Sequence, residues 1–135
     1  MAAGKYSWVL EQGTTVNFEI QYKDADNIPV DLTGYSGRMQ LKSNYADNNP
    51  TIYLTLSSSL ETDGTGLNFS GSNGTTPLSS GSIGVYIASC TSSLLTFNTA
   101  YYDLEIYYPS VVDPDCPITT RILEGQVRLS LQVTT

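Results

Sequence analysis

The side chains able to do chemistry in this chain are carboxylates, tyrosines and two cysteines, because its 135 residues include no histidine. That removes the commonest general base and the commonest metal-ligating ring. Ser-His-Asp and Cys-His catalysis and His-containing zinc sites are therefore excluded. Asp103 and Glu105 lie two apart on one strand face, about 7 Å by strand rise. Paired catalytic carboxylates use roughly 5–9.5 Å. Nothing else in the sequence builds a cleft around them, so they read as a solvated strand face.

Two loops are rich in hard oxygen ligands. Asp24, Asp26 and Asn27, with Asp31 nearby, form the first; Asp113 and Asp115 flank Pro114 in the second. A Ca²⁺ site is one reading. Neither the Gly at a sixth position nor the Glu at a twelfth of an EF-hand loop is present. Turn chemistry, in which Asp and Asn cap their own backbone, is the favoured reading. No metal or cofactor is assigned. Cys90 ends an apolar run and reads as a buried free thiol, whereas Cys116 sits in the loop Asp-Pro-Asp-Cys-Pro. A bridge between them needs Cα atoms within about 7 Å. Asn68-Phe-Ser70 and Asn73-Gly-Thr75 fit the glycosylation pattern, which a Ser/Thr/Asn-rich chain produces by chance.

The tyrosines say more. Tyr53, Tyr86, Tyr101 and Tyr107 fall opposite the apolar residues of their strands. Aromatics on an outer face suit protein interfaces, where ring and hydroxyl serve together. Cross-strand pairing on a solvated sheet would also favour them.

The elements that must hold these residues are strands. Residues 14–22 place Val16, Phe18, Ile20 and Tyr22 on one face, and a shorter strand at 6–11 turns Trp8 and Leu10 inward. In 35–43, Gly37, Met39 and Leu41 point in; in 51–57, Ile52, Leu54 and Leu56 do. Residues 58–81 read as a mobile polar loop with a short strand at Leu67 and Phe69. Ile83, Val85 and Ile87 alternate in 82–89. Residues 90–97 hold the single plausible helical turn, with Thr91 or Ser92 as its N-cap. Residues 100–108 alternate Tyr102, Leu104, Ile106 and Tyr108 against Tyr101, Asp103, Glu105 and Tyr107. The last strand, 119–133, turns Leu123, Gly125, Val127, Leu129, Leu131 and Val133 to one face. Seven or eight such strands without a helical crossover predict one all-β domain over 1–135, a two-sheet antiparallel β-sandwich.

Composition agrees. Charged residues are 14% of the chain, against roughly 25% in an average protein. Ser and Thr number 16 each, and Ala only 6. A net charge of −7 with scattered bases excludes nucleic acid and anionic membranes as expected partners. Met1 to Leu10 lacks the pattern of a signal peptide, and no run is long enough for a membrane helix. Low charge and outward rings point to a subunit of a larger assembly.

Trp8 to Lys42 resembles the opening of small β-sandwich virion proteins of tailed bacteriophages. The matching parts are the turn Gln12–Thr15, the hairpin Lys23–Asn27, the Pro29–Tyr35 step and the strand Arg38 to Lys42. The ending is similar too: Tyr102-Asp103-Leu104-Glu105, a loop, then Arg121-Ile122-Leu123-Glu124-Gly125 and a final strand. The stretch from about Asn44 to Gly81 does not share the likeness. The resemblance implies a non-enzymatic structural protein of the tail, baseplate or fibre-attachment region. Its partners would be other virion proteins, in multiple copies. The alternatives are a capsid-decoration or head-fibre protein and a carbohydrate-binding module. In physical terms Leu32 can plug one end of the core while Thr33 and Gly34 reverse the chain, and Arg121 pairs with Glu124.

Overall fold

The computed structural model describes residues 4–43, 50–113 and 115–132. Val133, most of the 44–50 loop and Pro114 lie outside them. The chain is all-β and folds as two facing sheets. Its strands are β1 (Gly4–Lys5), β2 (Trp8–Glu11), β3 (Val16–Gln21), β4 (Ser36–Lys42), β5 (Ile52–Ser57), β6 (Gly66–Asn68), β7 (Ser82–Ile87), β8 (Thr99–Tyr108) and β9 (Ile118–Ser130). One sheet runs β1-β9-β8-β4-β5, with β2 also on β9; the other runs β3-β7-β6. Among the described residues, helical structure is a turn at Ser89–Ser92 (α1) and a 3-10 turn at Leu78–Ser80.

Alternation explains the core. Met39 and Leu41 of β4, Leu104 and Ile106 of β8, and Val127 of β9 are buried from the six-stranded sheet. Leu67, Ile83, Val85 and Ile87 meet them from the three-stranded sheet. Trp8 joins the layers, with its ring 5.1 Å from Phe18 and 6.3 Å from Tyr102. Leu32 closes one end of the core, 1% exposed, and the turn behind it is closed by Tyr35 N–H donating to the Leu32 carbonyl.

Several expectations are corrected. The sandwich is not wholly antiparallel: β1 and β2 run parallel to β9, as two pieces of one edge strand broken at Tyr6 and Ser7. The break is built on Gly125, where a Cβ would collide with the Tyr6 carbonyl. The Tyr102 hydroxyl donates to that same carbonyl at 2.5 Å.

Two β-bulges change which side chains face in. In β5 the register steps from Leu41↔Leu54 to Lys42↔Ile52, leaving Tyr53 as the extra residue. Ile52 therefore sits on the outer face, 52% exposed, and not in the core. In β9 the step from Leu104↔Leu123 to Glu105↔Arg121 makes Ile122 the extra residue, and it is buried beside Leu123. The strand ends at Ser130, so Leu131 is exposed.

The helical turn also differs. Its N-cap is Ala88, with no side-chain cap. Ser92 is instead fully buried; its hydroxyl donates to the Thr14 carbonyl at 2.7 Å and accepts from Gly13 N–H at 3.1 Å. The Thr91 hydroxyl donates to Asp63 at 2.8 Å. Cys90 lies in this turn and is exposed, as is Cys116, and the two are unbridged. Strand β7 stops at Ile87, which carries Cys90 out of the core.

Candidate functional site

The outer face of the six-stranded sheet is a set of cross-strand rungs. Register places Lys42, Tyr101 and Gln126 in one, then Gln40, Asp103, Glu124 and Lys5. Arg38, Glu105 and Arg121 form the next, and Ser36, Tyr107 and Thr119 the last. Opposite charges meet along and between them. Arg38 reaches Glu105 at 3.0 Å, Lys5 reaches Glu124 at 2.6 Å, and Arg121 reaches Asp103 at 3.2 Å and Glu124 at 3.7 Å. The Arg38 guanidinium lies 5.6 Å from the centre of the Tyr107 ring. Exposed pairs of this kind are worth about 0–1 kcal/mol each. They orient the side chains more than they stabilise the fold.

Asp103 feels competing forces. Burial, then the neighbouring Glu105, raise its carboxyl above the ordinary value, and Arg121 only partly opposes them. Glu124 is lowered, chiefly by the hydrogen bond from Lys5. Arginines engage both carboxylates of the Asp103 and Glu105 pair.

The cations are unevenly placed. Five of the six, Lys5, Arg38, Lys42, Arg121 and Arg128, lie on outward positions of this sheet. Among the described residues four carboxylates, Glu11, Asp103, Glu105 and Glu124, share the face, giving it a formal charge of +1. The other described residues hold one cation, Lys23, against eight carboxylates, or −7. The exposed side chains of Val9 and Ile52 lie on the same face. Beside Tyr101 a depression of about 520 Å³ is lined by Lys5, Gln126 and Gly125.

The four expected interface tyrosines separate. Tyr101 and Tyr107 share the face just described. Tyr53 does not reach an outer surface in the expected way: the β5 bulge turns it toward the core, where its ring stacks on Phe97 at 4.7 Å. Tyr86 lies on the opposite sheet, where Asn17 of β3 and Gly66 of β6 flank it.

That opposite surface holds a second concavity, of about 250 Å³, lined by Asn17, Asp63, Gly64, Asn68, Gly71, Ser72, Gly84 and Tyr86, with Leu60 at its side. Gly84 permits it. A Cβ there would lie 2.7 Å from the Ser72 nitrogen, so the 71–72 backbone can rest directly on the sheet. Glu19 pins that loop by accepting from Ser72 N–H at 3.0 Å. Asp63 holds the other wall, accepting from Thr65 N–H at 2.9 Å and from the Thr91 hydroxyl. These bonds, Thr65 N–H first, lower its carboxyl below the usual value. Sequence reading missed this cleft because its pieces come from three strands and two loops. The turn dipeptides Asp63-Gly64 and Asn73-Gly74 were its visible signs.

The acidic loops spend their oxygens on the backbone. Asp24 accepts from Asp26 and Ile28 N–H, Asp31 from Thr33 N–H and hydroxyl, and Asp113 from Asp115 N–H. Among the described residues no three candidate ligands cluster as a metal site. No described helix is long and apolar enough to cross a membrane.

No protein-family model matches the chain, and no curated protein matches its sequence. Among solved structures, the extracellular domain of the voltage-gated sodium channel beta4 subunit is similar. That structure is described as a parallel homodimer that explains a role in cell-cell adhesion. The likeness covers 98% of this chain and 97% of that one, at 8% sequence identity and a TM-score of 0.39.

Proposed function

We propose that the chain is a non-enzymatic structural subunit of a tailed-phage particle, in the tail or baseplate region. It seats on its neighbours through the outer face of the six-stranded sheet. The observation that carries this reading is the segregation of charge: five of six cations gather on one face of a chain whose net charge is −7. A face of that kind favours an acidic partner surface and repels a wrong approach. Tyr101 and Tyr107 supply ring area with little side-chain entropy to lose, and Val9 and Ile52 add apolar contact. The depression beside Tyr101 gives a partner side chain a place to enter. Many copies in a symmetric particle would multiply weak single contacts. The resemblance of Trp8–Lys42 and Arg121–Gly125 to phage sandwich proteins supplies the setting. The partners are other virion proteins, and the protein resides in the virion.

The test is incorporation into particles. Tyr101→Ala, Tyr107→Ala and Arg128→Glu should each melt like the parent protein yet enter particles about tenfold less, a loss of about 1.4 kcal/mol per contact. Parental incorporation of all three would refute the interface. Recovery from purified heads but not from tails would replace the tail reading with head decoration.

A further inference from the structure

We propose that the cleft on the three-stranded sheet binds one ring of an uncharged saccharide. This site lies opposite the proposed assembly face, so a seated subunit would still present it. Four observations converge. The cleft is concave and small, about 250 Å³, just under the ~300 Å³ at which drug-sized pockets begin. That leaves room for one sugar ring. Tyr86 contributes a half-buried ring to its wall, and a pyranose has an apolar C–H face that stacks on such a ring.

Hydrogen-bonding groups surround that ring in both senses. Asn17 lines the cleft, and among the described residues its amide has no protein partner, so both its donor and acceptor are available. Asn68 uses its Oδ1 to hold Ser70 N–H at 2.9 Å, which leaves its Nδ2 as a donor. Asp63, engaged by Thr65 and Thr91, adds carboxylate oxygens to the wall. Sugar hydroxyls donate and accept, which is what this mixed set requires.

The site is also prebuilt. Glu19 fixes one wall and Asp63 the other, while Gly64, Gly71 and Gly84 keep the middle open. Little ordering is left to oppose binding. Charge selects the ligand class. Asp63 lines the cleft, Glu19 stands beside it, and no cation lies among its lining residues. A phosphate, sulfate or uronate would be repelled, and a neutral hexose or N-acetylhexosamine would not.

The experiment is an amide NMR titration of the full chain with methyl α-glucoside, methyl β-galactoside and N-acetylglucosamine into the tens of millimolar. Galacturonate serves as the charged comparison. At least one neutral sugar should shift the Gly64, Gly71, Ser72 and Gly84 amides together, with millimolar affinity. Galacturonate should shift none of them. Tyr86→Ala should weaken binding by about tenfold or more. Asn17→Ala, which removes no bond within the protein, should weaken it severalfold while leaving the remaining spectrum in place. Tyr101→Ala, on the other sheet, should bind as the parent does, so loss of assembly and loss of sugar binding are separable. The proposal fails if no neutral sugar moves the cleft amides. It fails equally if the shifts survive both Tyr86→Ala and Asn17→Ala, or if galacturonate binds as well as the neutral sugars.

Discussion

The two sheets share one core but have opposite outer surfaces. The outer face of the six-stranded sheet is crossed by ion pairs and holds nearly all the cations. The three-stranded sheet has glycine at Gly66 and Gly84, and loops lie directly on it to leave a cleft. The difference follows from side-chain length. Long charged residues at alternate positions of β4, β8 and β9 bridge neighbouring strands and cover much of that surface, with the depression beside Tyr101 left open. A missing side chain lets backbone approach instead, and backbone brings concavity. One sandwich can thus offer a face suited to a broad partner and a face suited to a small ligand.

The largest expected effect tests the shared core against the surface beside it. Val127 is fully buried and its neighbour Arg128 points outward. Val127→Asp would bury an unpaired carboxylate and should unfold the domain, a loss above about 4 kcal/mol. Arg128→Asp should shift stability by no more than about 0.5 kcal/mol. A urea melt of each decides it, and equal midpoints would show the β9 register to be wrong.

Next come the glycines that give each sheet its character. Gly84→Ala would press a methyl group into the 71–72 backbone, and Gly125→Ala would push the Tyr6 carbonyl off β9. Each should cost about 1–3 kcal/mol. The consequences should differ: the first disturbs amides of the cleft, the second those of β1 and β2. Hydrogen exchange on the two variants would expose a common effect if the sheets were not independent.

The smallest effects have opposite signs with pH. Asp103, on the six-stranded sheet, has its carboxyl raised by burial and by Glu105. The folded protein therefore holds that proton more tightly than the unfolded chain. Its favourable contribution is present in acid and is lost as pH rises from the ordinary value of 3.8 through the raised one. Asp63, beside the cleft, is lowered by its hydrogen bonds. Its contribution is present above 3.8 and is lost as pH falls through the lowered value. Asp63→Asn should thus destabilise at neutral pH with a difference that closes in acid. Asp103→Asn should be neutral or slightly stabilising at neutral pH, and that margin should shrink in acid. Melts from pH 2 to pH 7, a range of about five units around ordinary carboxylate values, compare them.

Much of the fold was legible from alternation. The inward residues of β3, β4, β7 and β8 follow a strict period of two, and Leu32 plugs the core as its place before Thr33-Gly34 suggests. Alternation carries no information about which strand lies alongside or in which direction. The parallel pairing of β1 and β2 on β9 was therefore hidden. A bulge inserts one residue without leaving a mark in the sequence, which exchanged Ile52 with Tyr53 and buried Ile122. Tyr101 and Tyr107 were readable as outward because β8 has no bulge between them on β4. Cys90 was misread because the apolar run 83–90 continues past the end of its strand. The gathering of cations needed the strand order, since Lys5, Arg38 and Arg128 are far apart in the chain and come to one face only through the sheet.

The central claim is that the six-stranded sheet is the covered face. Three lysines can report on it. Lys5 and Lys42 lie on that face, whereas Lys23 lies at the edge of the sandwich beside Tyr22 and Thr120. Amine acetylation of the free protein and of intact particles, read by mass spectrometry, compares all three in one experiment. Assembly should protect Lys5 and Lys42 by about tenfold and leave Lys23 reactive, in keeping with burial of a standard interface. Protection of Lys23, with Lys5 and Lys42 still fully reactive, would contradict it.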